Sequence, residues 1–207
     1  MGGAAGGRLA STLASETYAA EMEKALKPDM TPEQLREASA YAVAMANRAV
    51  AERAEAEAAL ANMGTTLVAA VAYENGAVIT NVGDSRAYHI TVDGITRVTK
   101  DHSLVESMVD RGDITAEEAR RHPSRNLITR ALGPDPAVEA DGFPLQWKPG
   151  DFLLLCSDGL VNTVTDQEIM FEILHNGQPE DCLQRLMAIS KQRGAPDNVT
   201  AILLMND

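Results

Sequence analysis

The sequence contains only two cysteines, Cys156 and Cys182, among its 207 residues, too few for a disulfide framework. Cys156 lies in an apolar run, where we expect a buried and reduced thiol and therefore a reducing compartment, the cytoplasm. No run of about 18 apolar residues is present, so no transmembrane helix is expected. The segment Met1 to Gly7 has no basic region followed by an apolar one, so it is not a signal peptide.

Three common kinds of catalytic or binding site also lack their signatures. The four histidines are His89, His102, His122 and His175. None is paired at the spacing of metal ligands, which argues against zinc. Ser157 lacks the Gly-x-Ser-x-Gly elbow, so a catalytic triad with His102 and an aspartate is not expected. The glycine-rich start, residues 2–7, lacks the Lys-Ser/Thr of a P-loop, and we expect it to form a flexible or phosphate-approaching loop.

Positive charge is scarce as well. The formal net charge is −12 and the isoelectric point is about 4.7, which argues against nucleic acid or an anionic membrane as a partner. Hydrophobic residues make up 45% of the chain, enough for a substantial core. The length predicts a single domain over residues 1–207, or one domain that lacks a piece.

The most informative stretch is an apolar run, Phe152 to Cys156, that ends in Ser157-Asp158-Gly159. Its short length and the preceding Lys148-Pro149-Gly150 turn predict a buried strand. A carboxylate at the end of such a strand is held rigidly, as a hard divalent cation requires. Taken alone, Asp158 is explained equally well as the cap of the turn or helix that follows.

Two other aspartates have a similar setting. Asp84 follows the β-rich run 78–82, and Asp197 precedes the β-rich run 199–204. If the three strands share a sheet edge, Asp84, Asp158 and Asp197 converge on a metal cluster. An oxygen-only ligand set favours Mg²⁺ or Mn²⁺. A pair of such ions activates water and neutralises phosphate oxygens, which points to phosphoester hydrolysis.

Helical patterns occupy the N-terminal third and strand patterns follow them. We predict a helix over 8–26 and a long helix that a Thr31–Gln34 capping box begins and that ends near Leu60. The core side of the long helix is expected to include Tyr41, Val43, Met45 and Val50. Four extended segments between residues 65 and 98 are predicted to form one antiparallel meander. Residues 101–133 read as a small helical excursion between strands, of a kind that often forms a flap or substrate surface.

The motifs together resemble a known family. They are Met1-Gly2-Gly3, Gly64-Thr65-Thr66, Gly83-Asp84-Ser85-Arg86-Ala87-Tyr88, Asp101-His102-Ser103, Arg130-Ala131-Leu132-Gly133, Ser157-Asp158-Gly159-Leu160 and Pro196-Asp197-Asn198-Val199-Thr200. Their order resembles that of the metal-dependent Ser/Thr protein phosphatases of type 2C, the PPM family, in its bacterial branch. The resemblance covers essentially the whole chain. The combined set is highly specific, whereas any one motif alone would be weak.

The resemblance implies an α+β fold, with two antiparallel β-sheets packed as a sandwich between helix pairs (α-β-β-α layers). It implies a binuclear Mn²⁺ or Mg²⁺ centre with Asp158 and Asp197 as catalytic metal ligands. It also implies a third, weaker metal site at Asp84 and Asp158. Asn162 stands where some members have another aspartate for that ion. The implied partners are phosphorylated proteins, in a Ser/Thr kinase pathway, and the flap at about 101–133 would gate or select them.

The sequence departs from the family pattern at its beginning. In the family, an Asp-Gly directly precedes Met-Gly-Gly; its aspartate bridges the two metals and its glycine carbonyl is a ligand. Upstream lie edge strands, another acidic residue and an arginine that grips the substrate phosphate. None of these is among the 207 residues. The resemblance therefore implies an N-terminally truncated domain with weakened metal binding and exposed sheet edges.

Two hypotheses about function follow. The first is a protein-serine/threonine phosphatase, impaired in this truncated form, which is a monomer or self-associates through the exposed sheet edges. The alternative is a catalytically inactive phosphatase-like module that binds a phosphoprotein or another partner. Metal-dependent turnover separates the two.

Overall fold

The computed structural model describes residues 3–74, 76–175 and 178–206. The helices within these ranges are α1 (Gly3–Ala25), α2 (Pro32–Glu55), α3 (Leu104–Asp110), α4 (Ala116–Arg121), α5 (Asp158–Val161), α6 (Asp166–His175) and α7 (Pro179–Gln192). The strands are β1 (Leu67–Tyr73), β2 (Gly76–Val82), β3 (Arg86–Thr91), β4 (Gly94–Arg97), β5 (Asp141–Gln146), β6 (Phe152–Cys156) and β7 (Ala201–Met205). A short 3-10 helix, Ala58–Leu60, follows α2.

The strands form two antiparallel sheets, with the orders β1-β2-β5 and β4-β3-β6-β7. A core cluster between the sheets contains Ile79 from β2 and Leu153 from β6. A second cluster packs α1 and α2 on the three-stranded sheet, and a third packs α6 and α7 on the four-stranded sheet. The layers therefore run α-β-β-α, and the fold expected from the family resemblance is confirmed.

Strand β6 is buried on both faces, which explains why its sequence does not alternate. Leu153 and Leu155 belong to the cluster between the sheets, whereas Leu154 and Cys156 pack toward α6 and α7. Successive side chains of a strand point to opposite faces, so a strand between two packed layers must be apolar throughout. Each of these side chains stabilises the fold by about 1.5–3 kcal/mol through burial.

The predicted single meander is wrong, because its two hairpins lie in different sheets. Strand β1 pairs with β2 and strand β3 pairs with β4, but β3 also pairs with β6. The chain crosses between the sheets at Gly83, whose φ is +107°. A Cβ at this position would lie 2.3 Å from Cγ2 of Thr66, so both the conformation and the space require glycine. Asp84 follows directly and is thereby placed at the crossover.

The N-terminal helices differ in detail from expectation. The loop expected over residues 2–7 is wrong for Gly3 to Gly7, which belong to α1, while Gly2 lies outside the described residues. Gly6 is buried, and a Cβ there would lie 3.3 Å from Cβ of Met63, so small residues allow close packing. None of the described helices is both long and apolar enough to cross a bilayer.

Helix α2 begins as predicted and ends earlier than predicted. The Thr31 side chain accepts a hydrogen bond from the backbone N–H of Gln34, and the Gln34 side chain accepts one from the N–H of Thr31. The helix ends at Glu55 rather than near Leu60. Tyr41 is 57% exposed, contrary to its expected core position. The buried residues of α2 are Leu35, Ser39, Ala42, Val43, Ala46, Asn47, Val50 and Ala54.

Candidate metal centre

The three aspartates singled out in the sequence occupy turns beside neighbouring strands. Asp158 is the first residue of α5, immediately beyond β6. Asp84 lies in the crossover between β2 and β3, and Asp197 lies in the loop that leads into β7. Each side chain is therefore held by a turn whose strand is anchored in the core.

The register of the four-stranded sheet brings these turns to one edge. Arg86, the first residue of β3, is opposite Cys156, the last residue of β6. Cys156 is in turn opposite Ala201, the first residue of β7. Because both pairs lie at the same end of the strands, the turns that carry the aspartates lie at that end too. The expectation that the three strands share one sheet is wrong for the strand that precedes Asp84, because β2 lies in the three-stranded sheet. The crossover that follows β2 nevertheless carries Asp84 to the end of the four-stranded sheet at which β3 begins.

The carboxylates influence one another electrostatically. Burial, with the negative charges of Asp158 and Asp101, raises the pKa of Asp84 to about 6. Burial, with the negative charge of Asp197, also raises the pKa of Asp158. Asp158 is therefore coupled to both other aspartates. Concentrating negative charge in this way costs free energy that a cation would recover.

The donor chemistry fits a hard divalent cation, while the number of protein donors is small. Among the described residues, no group of three or more histidine, cysteine or carboxylate side chains is close enough to hold a metal ion. The electrostatic influence of Asp158 on Asp84, and of Asp197 on Asp158, makes Asp158 the member common to two candidate pairs. Mg²⁺ is commonly bound through one or two carboxylates and several waters. That the three aspartates are ligands remains a prediction.

Two neighbouring amides contact these carboxylates. The Asn162 side chain donates a hydrogen bond of 3.3 Å from Nδ2 to Oδ2 of Asp158. The backbone N–H of Asn198 donates to Oδ1 of Asp197 over 2.7 Å. Asn162 lies four residues beyond Asp158, so one helical turn places its amide above the carboxylate. The hydrogen bond from Asn162 favours the ionised form of Asp158, which a cation needs, and so acts against the rise in its pKa.

Ser157 joins the Asp158 turn to the loop that carries Asp197. The Ser157 backbone N–H donates to the carbonyl of Thr200 over 3.0 Å, and its hydroxyl accepts from the N–H of Thr200 over 3.0 Å. The hydroxyl also donates to the carbonyl of Asn198 over 3.3 Å. These contacts commit Ser157 to positioning the loops, in keeping with the absence of a nucleophile elbow.

His102 supports the crossover loop. Its Nδ1 accepts a hydrogen bond of 3.0 Å from the backbone N–H of Gly83, which places the proton of the neutral ring on Nε2. Nε2 then donates to Oδ2 of Asp141 over 3.1 Å. The backbone N–H of His102 donates to the carbonyl of Gly83 over 2.9 Å. His102 therefore holds the turn that precedes Asp84, and its ring is not directed to Ser157.

A charged network that the sequence did not reveal lies beside the aspartates. Arg86 donates to Asp101 from Nε over 2.9 Å and from Nη2 over 2.6 Å, and to the hydroxyl of Tyr88 over 3.2 Å. Arg97 lies 3.7 Å from Asp101 and donates to Glu106 of α3 over 2.8 Å. Asp101 was noticed only within the motif Asp-His-Ser, because no local pattern identifies its two arginine partners.

The raised pKa of Asp84 predicts that Asp84→Asn stabilises the metal-free protein. The pKa of Asp84 is about 6 in the folded protein, which is above its value in the unfolded chain. Its contribution to the stability of the fold is therefore fully present below the unfolded pKa and is lost as the pH rises through 6. At pH 7.5 the substitution should therefore increase the free energy of unfolding by about 1–3 kcal/mol. Urea titration with chelator at pH 7.5 and pH 5 measures this, and the gain should fall to roughly half at pH 5.

Asp93→Asn provides the matched control for that measurement. Asp93 is an exposed aspartate in the turn between β3 and β4, at the other end of β3 from the aspartate cluster. Its substitution should change stability by no more than about 0.5 kcal/mol at either pH. Equal effects of the two substitutions would show that Asp84 carries no special electrostatic cost.

Comparisons with known proteins agree with this fold. The family model described as protein phosphatase 2C matches residues 1–203. The serine/threonine phosphatase stp of Listeria innocua is 37% identical over 203 residues, which cover 96% of this chain and 80% of that protein. The serine/threonine protein phosphatase PstP of Mycobacterium tuberculosis is 38% identical over 203 residues, covering 98% of this chain and 38% of that protein.

Solved structures of serine/threonine phosphatases are also similar to this chain. The crystal structure of Mycobacterium tuberculosis PstP/Ppp has a TM-score of 0.89 and 36% identity, covering all of this chain and 86% of that chain. A PstP catalytic domain in complex with two manganese ions has a TM-score of 0.84 and 35% identity, covering all of this chain and 85% of that chain. The chain described here therefore belongs to the protein phosphatase 2C family.

Proposed function

We propose that this chain hydrolyses phosphoserine and phosphothreonine esters in proteins, with Mn²⁺ or Mg²⁺ held by Asp158, Asp197 and Asp84. The observation that carries the proposal is the position of Asp158 at one sheet edge, coupled to both of the other aspartates. Family membership supports the reaction, and the manganese complex of a PstP domain supports the kind of metal.

The roles of the three aspartates differ. Asp158 and Asp197 are proposed to hold a binuclear centre, and Asp84 and Asp158 to hold a third, weaker ion near Asn162. When bound, the ions supply a Lewis acid for the phosphate oxygens and activate water for attack on phosphorus. The aspartates fix where that positive charge lies, because their turns are anchored in the sheet.

The same charges make substrate binding depend on the cations. A phosphate monoester is a dianion near neutral pH, and the unneutralised carboxylates would repel it strongly in this partly buried setting. The protein surface as a whole, at a net charge of −12, adds to this repulsion. Without a divalent cation we therefore expect both turnover and phosphoester binding to be lost.

The flap segment, residues 101–133, is proposed to contact the protein substrate. It contains α3 and α4 and is attached to the crossover through His102 and Gly83. The proposed partners are phosphorylated proteins of a Ser/Thr kinase pathway, in the cytoplasm, where the unpaired Cys156 and Cys182 would stay reduced. The domain, residues 1–207, is proposed to act as a monomer or to associate through exposed sheet edges.

We further propose that an added upstream segment ending in Asp-Gly, the dipeptide that the family resemblance implies before Met1, speeds turnover at least about tenfold relative to residues 1–207. The physical reason is that each further carboxylate ligand increases the affinity of a site for a hard cation.

The test is release of phosphate from phosphothreonine peptides and from p-nitrophenyl phosphate. Residues 1–207 and the version with the upstream segment are compared in Mn²⁺, in Mg²⁺ and with chelator. Hydrolysis should require the cation and should be faster in the version with the upstream segment. Adding Mn²⁺ or Mg²⁺ back after chelation should restore hydrolysis.

Two outcomes would contradict the proposal. Turnover that persists unchanged in chelator would exclude the metal mechanism. A folded longer version that binds a phosphothreonine peptide but never hydrolyses it, at any Mn²⁺ concentration, would instead support the inactive phosphatase-like module.

A further inference from the structure

Arg86 lies between two groups of carboxylates. It is the first residue of β3, two residues after the bend at Asp84, and it is opposite Cys156, which is two residues before Asp158. Its positive charge opposes the effect of burial on the pKa of both aspartates. Its guanidinium is therefore within electrostatic reach of both candidate metal ligands.

The hydrogen bonds described for Arg86 nevertheless go elsewhere. Asp101 accepts two of its N–H groups, from Nε over 2.9 Å and from Nη2 over 2.6 Å, and Tyr88 accepts a third. The Asp101 side chain is only 8% exposed. Paired, charge-assisted hydrogen bonds of this geometry are strong and fix the orientation of the guanidinium.

A second ion pair holds Asp101 in place. Arg97 lies 3.7 Å from the Asp101 carboxylate and is itself bound by Glu106, in the first turn of α3. Asp101 thus sits between an arginine of β3 and an arginine of β4. Because both strands belong to the four-stranded sheet, its position is tied to the sheet that also carries the aspartate turns.

We propose that Asp101 is a positioning residue that holds Arg86 away from Asp84 and Asp158, so that both carboxylates stay available to divalent cations. This inference rests on the proposed function, because it concerns the same carboxylates. Without the Asp101 charge, Arg86 remains a cation whose side chain is only 25% exposed and which requires a new anionic partner. Asp84 lies two residues before Arg86, and Asp158 lies two residues beyond Cys156, the partner of Arg86 in the sheet. A guanidinium that turned to either carboxylate would compete with a metal ion.

The first test is a crystal structure of metal-free Asp101→Asn. The expected result is that the Arg86 guanidinium forms a hydrogen bond with Asp84 or Asp158. A guanidinium that stays on residue 101 and Tyr88 would overturn the proposal. This readout needs neither bound metal nor turnover, so it tests the Asp101 proposal even if the proposed function fails.

The second test measures Mn²⁺ binding to residues 1–207, with electron paramagnetic resonance used to detect the free Mn²⁺. Asp101→Asn should weaken binding on the order of tenfold. The double variant Asp101→Asn/Arg86→Gln should bind within about twofold of Arg86→Gln alone, because no competing cation remains. A merely structural role for Asp101 would leave the double variant as weak as Asp101→Asn, and that result would overturn the proposal.

Asp110→Asn is the matched control. Asp110 forms an ion pair with Lys100 over 2.5 Å in the same segment, with both side chains about half exposed. Its loss should leave Mn²⁺ binding unchanged. If the wild-type chain binds no Mn²⁺, the proposed function is contradicted and the crystal structure alone tests Asp101. If the wild-type chain binds Mn²⁺ but the double variant does not recover the Mn²⁺ affinity of Arg86→Gln, only the Asp101 proposal fails.

Discussion

Asp158→Asn is expected to lower Mn²⁺-dependent hydrolysis of phosphothreonine peptides by at least about 10²–10³-fold. Asp158 is electrostatically coupled to both Asp84 and Asp197, so its loss removes the carboxylate that the two proposed metal pairs share. The asparagine is almost isosteric and can still accept the hydrogen bond that Asn162 donates. The fold should therefore be retained, which circular dichroism and thermal unfolding will show.

The control for Asp158→Asn is Asp166→Asn. Asp166 is the first residue of α6 in the same half of the molecule and is not one of the proposed ligands. Its substitution should leave the rate within about twofold, since surface changes away from a site are usually small. A rate for Asp158→Asn that matches this control would show that the family likeness does not extend to the metal centre.

Gly159→Ala is expected to destabilise the protein by about 1–3 kcal/mol and to weaken Mn²⁺ binding by at least about tenfold. A Cβ at Gly159 would lie 2.3 Å from the carbonyl oxygen of Asn198 and 3.1 Å from its carbonyl carbon. The methyl group must therefore push the Asn198 segment away from α5, and Asp197 moves with it. Urea unfolding and Mn²⁺ titration measure the two effects separately.

Gly150→Ala is the matched control for this steric argument. Gly150 has a φ of +89°, and a Cβ there meets no atom within 4 Å. Its substitution should cost about 1 kcal/mol through backbone strain and leave Mn²⁺ affinity unchanged. Loss of stability in Gly159→Ala without loss of Mn²⁺ affinity would mean that the separation of Asp158 and Asp197 does not depend on this close approach.

The positions of the aspartates could be predicted because the signals are local. A short apolar run after a Pro-Gly turn identifies β6, and the burial of both its faces explains its composition. The residues at the strand ends, Asp84, Asp158 and Asp197, follow from the sequence once the strands are found. That the three turns meet at one end of the four-stranded sheet additionally needed the crossover at Gly83 and the register that places Arg86 opposite Cys156.

The crossover at Gly83 could not be predicted, because two hairpins in one sheet and two hairpins in two sheets have the same local pattern. What separates them is the pairing of β3 with β6, a contact between distant parts of the chain. Asp101 was missed for a similar reason, since Arg86 and Arg97 become its partners only when β3 and β4 pair. The glycine-rich start was misread because tertiary packing overrode a weak local propensity.

The role of Asp158 is tested most directly by Mn²⁺ binding to four forms of the chain: wild type, Asp84→Asn, Asp197→Asn and Asp158→Asn. We expect that Asp84→Asn and Asp197→Asn each weaken or remove one class of site, whereas Asp158→Asn removes both. Asp158→Asn that binds Mn²⁺ with wild-type stoichiometry and affinity would contradict the central claim that Asp158 is the carboxylate shared by the proposed metal pairs.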